Sequence, residues 1–134
     1  MRASIRAWIA HAGLSNVRAP LDVQTQPWPA ETADALVYIN MIHIAPWTAT
    51  TALMAGAARL LPSAGVLVLY GPYRRESRHT APSNEAFDQS LRSSNPEWGV
   101  RDIGEVADLA RTYGLDLVER VVMPANNLSL VFRR

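Results

Sequence analysis

The segment Val37-Tyr38-Ile39-Asn40-Met41-Ile42-His43-Ile44-Ala45-Pro46-Trp47 is apolar as far as Ile39 and then breaks into polar and aromatic groups ahead of a helical pattern. Few folds use such a segment. Strands of a parallel sheet are normally covered on both faces, so they read as nearly continuous hydrophobic runs instead of alternating ones. In open sheets of this kind, small molecules bind in the crevice beyond the carboxyl ends of the strands. The sequence therefore predicts a buried strand ending at Ile39, with Asn40 and His43 at the edge where a ligand would sit.

The rest of the chain is consistent with one domain spanning 1–134. Hydrophobic residues make up 49% of the 134 positions and charged residues 19%, enough to bury a core. No window approaches the ~18 consecutive apolar residues of a membrane span, and no apolar signal core opens the chain, so the expected compartment is the cytoplasm with no membrane contact. The chain has no cysteine, which excludes disulfides and thiolate chemistry, and its three histidines are too scattered for a metal site. A formal charge of +1 does not point to nucleic acid. The local cluster Arg74-Arg75-Glu76-Ser77-Arg78-His79 reads as a solvated loop in preference to an anion site.

Periodicity sets the order of elements. Ile5, Trp8, Ile9 and Ala12 recur at helical spacing with Gly13 as a stop. Val17 to Val23 reads as a short strand interrupted by Pro20, and the Gln26-Pro27-Trp28-Pro29 segment as a turn or loop. Asp34 to Ile39 is the first strong strand. A helix stripe follows in Leu53, Met54, Ala57, Leu60 and Leu61, ended by Pro62 and Gly65, and Val66 to Tyr70 is a second buried strand. Residues 71–101 are rich in turn formers, with one helix suggested by Ser83 as N-cap ahead of Phe87 and Leu91. A connection this long in a small domain is usually functional. Asp102 and Glu105 have the spacing of a capping box for a helix ending at Gly114. Leu115 to Met123 and Leu128 to Phe132 then form an antiparallel hairpin, because the connection between them is too short for a parallel crossover.

Several segments carry a more specific likeness: Asn40-Met41-Ile42-His43-Ile44-Ala45-Pro46-Trp47, Gly56-Ala57-Ala58-Arg59-Leu60-Leu61-Pro62, Leu69-Tyr70-Gly71-Pro72-Tyr73, Thr80-Ala81-Pro82-Ser83-Asn84, Trp98-Gly99-Val100-Arg101-Asp102 and Met123-Pro124-Ala125-Asn126-Asn127-Leu128-Ser129. With them the chain resembles the C-terminal half of class I S-adenosylmethionine-dependent methyltransferases, and within these a small family of methyltransferase-like proteins of unknown substrate. The resemblance implies an α/β fold: a partial Rossmann-like methyltransferase sheet, mostly parallel, closed by the C-terminal antiparallel hairpin. It also implies S-adenosylmethionine as cofactor, bound across the carboxyl ends of the strands. In such proteins a glycine-rich turn after the first strand approaches the methionine part of the cofactor, and an acidic residue ending the second takes the ribose hydroxyls. Neither is legible here, so the expectation is a domain lacking the family's first two strands and incomplete at its N-terminus. The flank of the Asp34 to Ile39 strand would then be exposed, an edge that invites a partner strand or a homo-oligomer.

The resemblance places Asp22 beside the adenine amino group, with Val23 lining the adenine face. A turn-forming role for Asp22 is the alternative. Asn40 is expected to bond cofactor and substrate through its amide or else to cap the following helix, while Met41 adjoins the cofactor or serves as packing. His43 is the candidate for proton transfer, because its ordinary pKa lies near ~6.5. A buried structural histidine is equally compatible with the sequence. Trp47 and Tyr73 follow the two main strands and form candidate aromatic walls for substrate, against ordinary core packing. Asn84, Trp98 and Arg101 belong to a candidate lid that selects the substrate, or else to an insertion covering the sheet edge, and Asn126 either points toward the substrate or simply serves the closing turn. The functional expectation is methyl transfer from S-adenosylmethionine to an unidentified acceptor, a small molecule before a protein, by a domain completed by upstream sequence and catalysing mainly by positioning. The alternatives are a non-catalytic remnant or interaction subunit, and a nucleotide-binding module of another doubly wound type.

Overall fold

The computed structural model describes residues 2–21, 27–28 and 30–134. In chain order the elements are helix α1 (Arg2–His11), strand β1 (Ala35–Ile39), a single 3-10 turn (Met41–His43), helix α2 (Trp47–Leu60) and strand β2 (Val66–Gly71). Then come the short strands β3 (Arg74–Arg75) and β4 (Arg78–His79), helices α3 (Pro82–Ser94) and α4 (Ile103–Thr112), and strands β5 (Asp116–Met123) and β6 (Asn127–Arg133).

The main sheet has the order β1-β2-β6-β5. Strand β1 pairs parallel with β2, and β6 pairs antiparallel with both β2 and β5. Three strands thus share one direction and only β6 opposes them, which is the mixed α/β sheet the sequence predicts. Ala125 and Asn126 adopt positive φ (57° and 58°) in the β5–β6 turn, the twist a tight hairpin requires.

Cross-strand partners share a face, so the register sorts the sheet into two surfaces. Leu36, Leu67, Phe132 and Leu117 form one row, and Tyr38, Leu69 and Leu130 the next. Helices α2 and α4 cover these rows with Leu53, Met54, Ala57 and Leu60 from the first and Val106, Ala107 and Ala110 from the second. Complete burial of a side chain such as Leu69 or Phe132 contributes about 1.5–3 kcal/mol. The opposite rows, Val37–Val68–Val131 and Ile39–Tyr70–Ser129–Val121, have no helix over them among the described residues.

Local chemistry explains the remaining elements and three departures from expectation. Val17 to Leu21 is not a strand: Pro20 lacks a donor, and no neighbour pairs with the segment among the described residues, while Asp22 and Val23 lie outside them. Helix α3 begins with Pro82 at its first position and Ala81 in the cap, not Ser83, because proline's fixed φ suits the first turn. The arginine cluster is not a loop. Glu76 and Ser77, both with positive φ, turn β3 into β4. Asp102 caps α4, accepting from the Gly104 N–H at 2.8 Å, and its second oxygen accepts from the Ser77 N–H at 2.7 Å, which anchors that hairpin.

Candidate functional site

At the carboxyl end of β1 the backbone turns through Asn40, whose φ of 58° and ψ of −6° are left-handed. Asparagine tolerates this region better than most residues. Its N–H donates to the Tyr70 carbonyl at 2.8 Å, and its side chain makes no capping bond, which leaves the amide available to a ligand. Next to it, β2 ends in Gly71. A Cβ at Gly71 would stand 2.6 Å from His43 Nε2 and 3.0 Å from Asn40 Oδ1, so only glycine allows the strand end, imidazole and amide to converge.

His43 is completely buried. Its Nδ1 accepts the Arg101 N–H at 3.3 Å, its carbonyl accepts the Gly99 N–H at 2.9 Å, and its ring meets Tyr73 edge-on at 5.0 Å. Burial, reinforced by the Arg101 charge, lowers the imidazole pKa to about 4. The ring is therefore neutral near pH 7. With Nδ1 acting as acceptor its proton resides on Nε2, which has no hydrogen-bond partner among the described residues. Tyr73 is likewise buried with an unpartnered hydroxyl, and desolvation pushes its phenol well above the ordinary range. Thr50 Oγ1 on α2 is a second buried oxygen without a partner among the described residues.

One arginine holds this end of the sheet in shape. Arg101 donates from Nε to the Ile42 carbonyl at 3.0 Å, and from Nη2 to the Ala45 carbonyl at 2.6 Å and the Glu97 carbonyl at 2.9 Å. Its guanidinium also lies 5.6 Å from the Trp47 ring centroid. Trp47 is thereby half-buried against Arg101. Beneath the clamped segment opens a cavity of about 850 Å³, lined by Trp28, Tyr38, Met41, Ile42, Pro46 and Trp98 among others. Mostly apolar cavities of ~300–1,000 Å³ with a few polar groups are typical small-molecule sites.

The structure thus gathers Asn40, Met41, His43, Trp47, Tyr73 and Trp98 around the carboxyl ends of β1 and β2. Asn84 and Asn126 also come together, but they bond to each other's elements. Asn84 Nδ2 donates to the Asn126 carbonyl at 3.0 Å and to Thr80 Oγ1 at 3.2 Å, while Asn126 Nδ2 donates to Ser83 Oγ at 3.3 Å. These bonds tie α3 to the closing hairpin. Asp22 and Val23 lie outside the described residues. Sequence reasoning missed Arg101 as a clamp, Thr50 as an orphaned hydroxyl, and Asp88, which accepts the Val100 N–H at 2.6 Å and pairs with Arg92 at 2.9 Å. No local signal marked Asp88 for burial, since Asn84, Glu85, Gln89, Ser90 and Arg92 around it in α3 are all polar.

The sheet order and covering helices make an α/β fold that matches the C-terminal part of methyltransferase folds. The complete chain, residues 1–134, matches DUF938, described as "Protein of unknown function (DUF938)", and the chain belongs to that family. Among solved structures it is similar to the mitomycin 7-O-methyltransferase MmcR, with a TM-score of 0.82 and 18% identity over 99% of this chain and 39% of that one. An O-methyltransferase family protein from Burkholderia thailandensis gives 0.76 and 18% over 99% of this chain and 40% of that one. CalO1, a methyltransferase in calicheamicin biosynthesis solved with S-adenosylhomocysteine bound, gives 0.65 and 18% over 76% and 30%. The chain therefore spans about two fifths or less of these structures, and at such identity the likeness establishes the fold.

Proposed function

We propose that this chain forms one side of the active site of an S-adenosylmethionine-dependent methyltransferase and receives a small, largely apolar acceptor. The observation that carries this reading is the convergence of Asn40, Gly71, His43 and Tyr73 at the carboxyl ends of β1 and β2, beside an apolar cavity of about 850 Å³. The described residues fit one side of the cofactor. Asn40 offers a free amide, Met41 an apolar face, and Gly71 a backbone without a side chain in the way. No carboxylate lines the cavity among the described residues, so the ribose hydroxyls are left to polypeptide outside them.

Bound there, S-adenosylmethionine supplies an electrophilic methyl group, and the protein's contribution is orientation and exclusion of water. His43, neutral with its proton on Nε2, acts as a hydrogen-bond donor in preference to a base. The acceptor must then arrive already nucleophilic or lose its proton to solvent. Trp98 and Trp28 form the apolar walls, and Arg101 fixes the Ile42–Ala45 backbone that shapes the floor.

Isothermal titration of the purified chain with S-adenosylmethionine and S-adenosylhomocysteine tests the reading. Micromolar binding that weakens at least tenfold in Asn40→Ala and in the cavity-filling Ala49→Phe is expected. A cooperatively folded chain that binds neither compound at millimolar concentration refutes it.

A further inference from the structure

Two of the three buried residues of helix α3 are polar, Asn84 and Asp88 beside Leu91, while its Phe87 is 40% exposed. Burying Asp88 is costly, because a carboxylate taken out of water must find its donors within the protein. Both oxygens find them. Oδ1 accepts the Val100 N–H at 2.6 Å, and Oδ2 accepts from Arg92 Nε at 2.9 Å with His79 Nε2 at 3.5 Å. Val100 is the middle one of three successive N–H groups, and the two beside it serve His43. Gly99 donates to the His43 carbonyl at 2.9 Å, and Arg101 to His43 Nδ1 at 3.3 Å. The backbone over 99–101 is thus gripped by Asp88 and His43 together. A Cβ at Gly99 would lie 2.8 Å from Asp88 Oδ1 and 2.9 Å from Arg92 Nη2, so glycine is what lets the carboxylate close on this backbone. Arg74 holds the carbonyl side: its N–H donates to the Arg101 carbonyl at 2.9 Å and its Nε to the Val100 carbonyl at 3.1 Å. Arginine brings only donors, so among the described residues the Val100 N–H depends on Asp88.

We propose that Asp88 is a positioning residue for the candidate site: by fixing the Val100 N–H it sets the Arg101 N–H against His43 Nδ1 and keeps the imidazole proton on Nε2. The tautomer of an imidazole is set by the hydrogen bond that its other nitrogen makes. Once the Arg101 N–H withdraws, Nδ1 can carry the proton and Nε2 turns from donor to acceptor. That nitrogen stands beside Gly71 and the Asn40 amide, since a Cβ at Gly71 would be 2.6 Å from Nε2 and 3.0 Å from Asn40 Oδ1. The same bond steadies Trp98, which precedes Gly99 and lines the cavity. A carboxylate in α3 therefore governs both a polar group and an apolar wall at the ends of β1 and β2, the kind of supporting contact that holds a constellation in its working geometry. The consequence for ligand binding rests on the methyltransferase reading, whereas control of the His43 tautomer does not.

Long-range proton–nitrogen NMR of the imidazole rings in the full chain, with His43→Gln to assign the His43 signals, reads the tautomer directly. The natural chain is expected to carry the His43 proton on Nε2 alone. Asp88→Ala should bring in the Nδ1–H form and speed hydrogen exchange of the Gly99 and Arg101 amides about tenfold. Asp88→Asn, which keeps an oxygen for the Val100 N–H, should return both readouts to near those of the natural chain, and Arg92→Gln should change neither. A cooperatively folded Asp88→Ala chain with the natural tautomer and natural exchange overturns the proposal. So does Asp88→Asn behaving like Asp88→Ala, or Arg92→Gln reproducing its effect. If Asp88→Ala does not fold, exchange in the natural chain decides: the Val100 amide should be protected at least as strongly as those of Gly99 and Arg101, and faster exchange at Val100 overturns the proposal. Calorimetric titration with S-adenosylhomocysteine separates this inference from the reading of the site. Binding that weakens at least tenfold in Asp88→Ala and recovers in Asp88→Asn supports positioning of the ligand site, and binding indifferent to Asp88→Ala overturns that part. A natural chain that does not bind refutes the methyltransferase reading alone, with the tautomer still deciding the role of Asp88.

Discussion

Acidification across the histidine range should destabilise this protein through one residue. The His43 imidazole is neutral in the folded chain because burial and the Arg101 charge lower its pKa from 6.5 to about 4. A depressed histidine pKa means that the folded state resists protonation. Its contribution is complete above the unfolded value of 6.5 and is lost as pH falls from there towards the folded value. Below the folded value both states carry the proton and nothing further is lost. A shift of this size corresponds to about 3 kcal/mol, with a limiting slope of about 1.4 kcal/mol per pH unit. That is a large share of the ~5–15 kcal/mol that holds a typical domain folded. Asp88 does not confuse the window: its carboxyl is held below 3.8 by Arg92 and the Val100 N–H against the cost of burial, so its effect is lost only below that value. Urea unfolding followed by tryptophan fluorescence at several pH values, on the natural chain and on His43→Gln, isolates the effect. The natural chain should lose about 3 kcal/mol more than the variant across the window. Parallel loss in the two proteins would refute the assignment of a neutral, desolvated His43.

Three further outcomes follow from the same site. Tyr73→Phe removes a buried hydroxyl that has no partner, so it should stabilise the free chain by about 1 kcal/mol, or about 3–4 °C in melting temperature by calorimetry. Arg101→Ala should cost about 2–4 kcal/mol in chemical denaturation, because the Ile42 and Ala45 carbonyls lose a charged donor and Trp47 loses its stacked cation. Hydrogen exchange over 41–47 should accelerate in the same variant. Gly71→Ala places a methyl 2.6 Å from His43 Nε2, so it should destabilise by about 1–3 kcal/mol and shift the His43 ring resonances by NMR.

The sequence by itself determined the elements whose signals are local. The strands at β1 and β2 and the helix stripe of α2 are written in unbroken hydrophobicity and 3.6-residue spacing, and the closing hairpin in the shortness of its connection. Asp102 announced α4 because a cap is a contact between near neighbours in sequence, here with Gly104. The strand expected at Val17 to Val23 is absent over its described part, Val17 to Leu21, for the converse reason, since a strand exists only when another pairs with it. Ser83 lost the cap to Ala81 because proline decided where α3 starts.

The site was legible as a location but not as chemistry. Asn40, Met41 and His43 could be placed at a strand end from pattern alone. Whether the imidazole would be a solvated base or a desolvated donor depended on Arg101 and Gly99, more than fifty residues away in the chain. The orphaned hydroxyls of Thr50 and Tyr73, the Arg101 clamp and the uncovered face of the sheet are likewise properties of packing. Hydrophobic pattern records which residues seek burial, and it made β1 look covered on both sides. Only the three-dimensional arrangement decides which face finds a partner, and among the described residues it left Val37 and Ile39 exposed.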